Sequence, residues 1–217
     1  MICRAAIAGN AAFISRIVVT SWRDAYRDLL PWSFLAILDE NPHHIPQSWK
    51  DPIAEPSSVT WVISSETSDA VGVLRMRIGT SSAPETNSEL TTLYLLPQAR
   101  ERGLGSEVLA CARTEALRRG ARGLGVCVLE RNKGGQHFYE GHGARSIDRR
   151  VAFWLDRESI FDILYRFSRA ALLERRLAQP GIGEIADRRA TRSYRRRHSR
   201  SDAAAGRLRM ACSRASG

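Results

Sequence analysis

The chain has 217 residues, 43% of them apolar, which suffices for one substantial core and leaves room for little more than one domain plus an appendage. Residues 1–165 hold 19 basic and 19 acidic side chains, so the entire net charge of +10 lies in residues 166–217. No apolar run approaches the roughly 18 residues that cross a bilayer, the N-terminus is interrupted by Arg4 and Arg16, and Cys3, Cys111, Cys127 and Cys212 have neither CxxC nor metal spacing, which together predict a soluble protein of a reducing, cytoplasmic setting with no membrane or metal site.

A short first strand is expected over residues 2–7. After it, Phe13, Ile14, Ile17, Val18, Trp22, Tyr26, Leu29 and Leu30 recur at helical spacing. Pro31 ends that helix or opens a second short one over "PWSFLAILDE". Pro42, Pro46, Pro52 and Pro56 mark residues 41–57 as loop. "VTWVISS" and "AVGVLRMRIG" read as strands about a polar turn at residues 66–69, and "ELTTLYLL" as a strand halted by Pro97.

A helix follows over residues 104–119, with Leu104, Val108, Leu109, Ala112, Ala116 and Leu117 on one face and Gly120 as its C-terminal stop. "GLGVCVLE" is a buried-type strand, and "GGQHFYEGHG" a short helix closed by Gly141 and Gly143. Residues 147–155 and 160–167 read as two more strands. In the second, Phe161, Ile163, Tyr165 and Phe167 alternate with Asp162, Leu164 and Arg166, although Ile160, Ile163, Leu164 and Phe167 also fit a helix. From Ser168 onward the only aromatic residue is Tyr194, and the arginine-rich run cannot bury a core. The expected division is a folded domain over 1–167 and a disordered basic tail over 168–217.

The stretch from Leu95 to Gly120 carries the first chemical signal. A turn rich in arginine, with bare backbone at Gly103 and Gly105, leads straight into a helix. The first N–H groups of a helix lack internal partners and the helix dipole favours an anion there, so a phosphate suits this turn. A Walker loop is excluded because no GxxxxGK[ST] occurs, and a dinucleotide fingerprint because Val108 stands where the third glycine belongs. By itself the GxG also fits an ordinary strand–turn–helix packed closely on glycine.

Two segments taken together resemble the GNAT superfamily of N-acetyltransferases. Arg100-Glu101-Arg102-Gly103-Leu104-Gly105 matches its [QR]xxGx[GA] signature, and Asn132 followed by Phe138-Tyr139-Glu140-Gly141-His142-Gly143 matches its Asn…FYExxG signature. The resemblance covers about residues 2–167; the tail has no counterpart in it. It implies a mixed α/β (α+β) fold: a mostly antiparallel sheet whose strands 4 and 5 splay apart, flanked by helices. It also implies acetyl-CoA as acyl donor. The turn Arg100, Glu101, Arg102, Gly103, Leu104, Gly105 and Ser106 would hold the pyrophosphate. Main-chain groups of Leu93, Tyr94 and Leu95 would pair with the pantetheine arm and polarise the thioester carbonyl, and Asn132 would contact the same arm. By family position Tyr139 would protonate the leaving thiolate.

A protonated alkylamine must lose a proton before it attacks. Glu89 is the first candidate base and Glu130 the second. A further base position of the family falls near Cys127, where a thiol reads better as core. Trp22, Tyr26, Trp32 and Phe34 would line the acceptor side, with core packing the stronger reading for Trp22. His43, His44, His137, His142 and His198 show no metal spacing, and no GxSxG hydrolase motif occurs. The leading expectation is an N-acetyltransferase that acts by direct attack of a primary amine, on a small molecule or a protein α-amine, with a homodimer left open. Two alternatives remain: a nucleic-acid-associated protein whose basic tail makes weak backbone contacts, and a non-catalytic acyl-CoA-binding relative.

Overall fold

The computed structural model describes residues 2–31, 35, 49–64, 70–100, 103–155 and 158–174. Seven strands form one sheet in the order β1-β2-β3-β4-β5-β7-β6. They are β1 Ile2–Ala5, β2 Ser58–Ser64, β3 Ala70–Ile78, β4 Ser88–Leu95, β5 Gly123–Leu129, β6 Arg145–Leu155 and β7 Glu158–Ser168. The described helices are α1 Ala11–Tyr26, α2 Lys50–Ala54, α3 Leu104–Arg118, α4 Lys133–Gly141 and α5 Arg169–Glu174, with 3-10 turns at Ala8–Asn10 and Pro97–Ala99.

Every pair of strands is antiparallel except β4–β5, which is parallel because α3 crosses back between them. The sheet is therefore mixed and mostly antiparallel, as the motifs implied. Its two faces bury different helices. Val108, Leu109, Ala112 and Ala116 of α3 pack with Leu124, Val126 and Phe167 from the sheet, and Tyr139 of α4 joins that cluster. On the opposite face Ile14 and Ile17 of α1 pack on Val62 and Val73, while Tyr26 meets Phe153 and Ile160 farther along. The face order follows from strand alternation: Val62 and Val73 point one way, Ile63 and Leu74 the other.

Residues 158–168 are a strand, not a helix. β7 lies between β5 and β6 and bonds along both edges, so its backbone is satisfied only in extended form. Gly120 closes α3 with φ +79, a left-handed conformation that suits glycine. A short helix, α2, occupies part of the stretch expected to be loop, and Pro52 is tolerated because it falls in the first turn, where its missing N–H is not needed. The folded chain also runs past the expected boundary at residue 167: α5 follows β7 directly, and Leu172 is 1% exposed in the main core. The expected turn at 66–69, most of the second helix expected over residues 31–40, Trp32 and Phe34, and the tail beyond 174 lie outside the described residues. No helix among the described residues is long and apolar enough to cross a membrane.

Candidate active site

β4 and β5 pair only at Glu89 with Gly125 and Leu90 with Val126. The register of β3 against β4 then jumps, with Arg75 opposite Thr92 and Met76 opposite Leu90, so Thr91 is an extra residue in β4. Such a bulge bends its strand, and beyond it β4 leaves β5. Leu96 N–H donates to Val71 O at 2.8 Å on the β3 side. Alternation along the strand then turns the main-chain groups of Leu93 and Leu95 toward the opening. The Leu95 carbonyl accepts from Arg100 Nε at 2.9 Å and from Ser21 Oγ at 3.3 Å.

The expected phosphate turn lies at the mouth of this opening. Gly103, the N-cap of α3, has φ +77, so a side chain there is strained. The N–H groups of Ser106 and Glu107 both bond Gly103 O, at 3.0 and 3.2 Å, which leaves those of Leu104 and Gly105 as the outward first-turn donors. A Cβ on Gly105 would stand 3.4 Å from the Phe138 ring, so α4 presses on the turn from behind. Arg100 is paired with Asp24 of α1 and with Leu95 O, and clamps the turn to the rest of the site. Glu101 and Arg102 lie outside the described residues. Ser106 Oγ lies 2.9 Å from His142 Nε2.

Asn132 is the N-cap of α4, and its Oδ1 accepts the Gly135 N–H at 2.9 Å. Its Nδ2 remains a donor. Tyr139, on the same helix, is 8% exposed and packs edge-on to Phe138 and Phe167. Tyr94 belongs to the α1 side, with its hydroxyl 3.4 Å from that of Tyr26 and Trp22 edge-on to both rings. Burial pushes the Tyr94 phenol well above its usual range; the Tyr26 hydroxyl adds to this and Tyr139 contributes a smaller push. Tyr94 and Tyr139 belong to opposite faces of the sheet.

Glu89 stands in the short paired stretch just before the strands part, opposite Gly125 and one residue before the last pair. It is fully buried. Its Oε2 accepts Ser82 N–H at 2.8 Å and Ser82 Oγ–H at 2.9 Å and lies 3.4 Å from Arg77, while Oε1 is buried with no hydrogen-bond partner. Cys127 is half-buried on the α1 side rather than in the core: Arg150 Nη2 donates to its Sγ at 2.8 Å and to Ser82 Oγ at 3.1 Å. Glu130, the other candidate base, is tied to Arg149 by hydrogen bonds of 2.6 and 2.9 Å, and that pairing holds its carboxyl below the usual range. His137 is exposed. Among the described residues no three of His, Cys, Asp and Glu converge as a metal site.

Sequence reasoning missed several neighbours. Ser82 and Arg77 reach Glu89 through the fold-back of the turn and pairing between β3 and β4, and Arg150 through the more distant β6; none of the three leaves a motif in the sequence. Asp162 did leave a signal: it shares its strand phase with Ile160 and Leu164, and it is 4% exposed. Burial pushes its carboxyl up to about 6, against the downward pull of Arg150.

Residues 19–144 match the family described as Acetyltransferase (GNAT) family. No curated relative matches the sequence. Among solved structures, similarity extends to the PaiA N-acetyltransferase of Thermoplasma acidophilum in complex with coenzyme A, at 16% identity and TM-score 0.61, over 76% of this chain and 97% of that one. A GCN5-related N-acetyltransferase of Rhodopseudomonas palustris is 17% identical with TM-score 0.60, over 76% of this chain and 94% of its own. A chimera of the Vibrio cholerae spermidine N-acetyltransferase SpeG and hSSAT is 12% identical with TM-score 0.60, over 79% and 97%. At these identities the likeness is one of fold.

Proposed function

The chain belongs to the GNAT acetyltransferase family, and from that premise we propose that it transfers the acetyl group of acetyl-CoA to a primary amine by direct attack in a ternary complex. The observation that carries this is the opening between β4 and β5, which exposes one edge of β4 and ends at the first turn of α3. An extended chain with an anionic end fits that geometry: a strand-like arm along Leu93 and Leu95, and a pyrophosphate on the N–H groups of Leu104 and Gly105. Acetyl-CoA would supply an activated thioester there.

The residues of the chain divide the remaining work. Asn132 Nδ2 and the β4 edge hold the arm. Tyr139 gives its hydroxyl hydrogen to the departing sulfur. Glu89 takes the proton that the attacking ammonium must lose, directly or through water. Its Oε1 suits that role, because a buried carboxylate oxygen without a partner is costly and an N–H or water hydrogen would relieve it. Oε2 is meanwhile fixed by Ser82, which holds the carboxylate in place. Related structures that carry coenzyme A or act on spermidine support the same reading.

Free-thiol release from acetyl-CoA, measured across a panel of primary amines, tests it. Amine-dependent release above the hydrolysis background is expected for at least one class of amine. Binding of coenzyme A without release for any amine would instead favour a non-catalytic acyl-CoA-binding protein.

A further inference from the structure

His142 bridges the helix that carries Tyr139 and the helix whose first turn faces the anion. Its Nδ1 lies 2.7 Å from Phe138 O and its Nε2 lies 2.9 Å from Ser106 Oγ. A carbonyl oxygen only accepts, so Nδ1 carries a hydrogen. In the neutral ring Nε2 is then the acceptor, and the single hydroxyl hydrogen of Ser106 points at it. Ser106 presents only lone pairs to any anion on the turn. In the protonated ring Nε2–H donates to Ser106 Oγ, and the hydroxyl hydrogen is released to swing toward the anion. The two states therefore differ both in charge and in the direction of one O–H bond at the phosphate turn.

We propose that His142 is a positioning residue for the coenzyme pyrophosphate, acting through the Ser106 hydroxyl, and that binding of the anion draws a proton onto this ring. This rests on the coenzyme reading above. The ring cannot simply turn away. Phe138 packs against it at 4.5 Å between centroids, and its own carbonyl accepts from Arg113 at 3.2 Å. The charged groups that face it are few. From α3 come Glu107 and Arg113, the latter stacked on Phe167 at 5.2 Å. From α4 come His137 and Glu140, the latter held by the Tyr165 hydroxyl at 2.8 Å. Arg145 stands three residues past His142, at the start of β6, and Arg100 is tied to Asp24 and the Leu95 carbonyl. Of these groups only His137 is a second imidazole, and it is exposed.

The test is calorimetry of coenzyme A binding from about pH 8.5 to about pH 5.5, on wild type, His142→Gln and Ser106→Ala. Contributions from the coenzyme's own phosphates and from His137, which all three proteins share, cancel in the affinity ratios. The ratio of wild type to His142→Gln is expected to grow by roughly three- to tenfold as the pH falls, one linked proton allowing at most about tenfold per pH unit. Ser106→Ala keeps the imidazole but should behave like His142→Gln. In two buffers of different ionisation enthalpy, wild type should take up more protons on binding than Ser106→Ala. If His142→Gln does not fold, that buffer comparison decides alone. A ratio independent of pH, or a Ser106→Ala protein with wild-type pH dependence, overturns the proposal while leaving the coenzyme reading intact. Wild type that binds no coenzyme A at any pH overturns both.

Discussion

Tyr139 and Asp162 show two opposite uses of burial. Tyr139 packs against Phe138 and Phe167 with its ring, so removing the hydroxyl alone should leave the packing intact. Tyr139→Phe is expected to bind acetyl-CoA nearly as wild type does and to lose roughly 10²–10⁴-fold in kcat, the usual loss for a general acid; steady-state rates and a binding isotherm on the same preparation would separate this from a packing role, which predicts an unchanged kcat. Asp162 is a carboxyl pushed up to about 6 by burial, while an ordinary aspartate titrates near ~3.9. Above pH ~6 both the folded and unfolded chains carry the charge, and the folded state bears the full cost of burying it. As the pH falls from about 6 to about 4 the folded chain binds the proton first, so this group adds stability toward acid within that window. Asp162→Asn cannot titrate. Its stability relative to wild type should be more favourable at pH ~7.5 than at pH ~4.5, by at most about 3 kcal/mol. Urea unfolding at the two pH values checks this, and a difference that does not change with pH would show that Asp162 bears no such cost.

Elements explain what could be read in advance and what could not. Helix α3 and its stop at Gly120 were legible, because apolar period and glycine placement are local properties; Gly103 was read only as bare backbone, and its left-handed φ appears in the fold. The splay of β4 from β5 was legible only through the motifs, since its physical cause, the extra Thr91, depends on register with β3 and not on composition. Tyr139 and Asn132 could be named for the same reason, whereas the Ser82–Glu89 contact depends on how the turn between β3 and β4 folds back, and the Arg150–Cys127 contact joins β6 to β5 across β7. The β3–β4 pairing offers a direct test of how tightly that edge is set. A Cβ on Gly72 would stand 2.5 Å from Leu95 Cδ2 and 2.8 Å from Tyr94 O. Backbone must move, so Gly72→Ala should destabilise the protein by about 1–3 kcal/mol and raise the KM for acetyl-CoA by displacing Leu95 toward the opening. An unchanged melting temperature would show that β4 yields there without cost.

At the scale of the whole molecule, the boundary of the folded unit can be probed through Leu172. A chain ending at Glu174 is expected to fold and bind acetyl-CoA, whereas one ending at residue 167 should lose about 2–5 kcal/mol by exposing the site that Leu172 fills; circular dichroism melts of the two would show equal stability if α5 were a mere appendage. The opening between β4 and β5 also divides the sheet into two blocks, β1–β4 and β5–β7; β2–β3–β4 and β6–β7 pair between chain neighbours, whereas β1 reaches β2 past α1 and β5 reaches β7 past α4 and β6. Local pairings form quickly, and a parallel seam of two residue pairs closed across α3 gains little until both sides exist. Assembly of this protein is therefore expected to end at the opening proposed as its active site. A coenzyme lodged in the opening, as proposed, would act as the missing strand between the two blocks, so its addition should slow global unfolding and raise the melting temperature with the logarithm of its concentration.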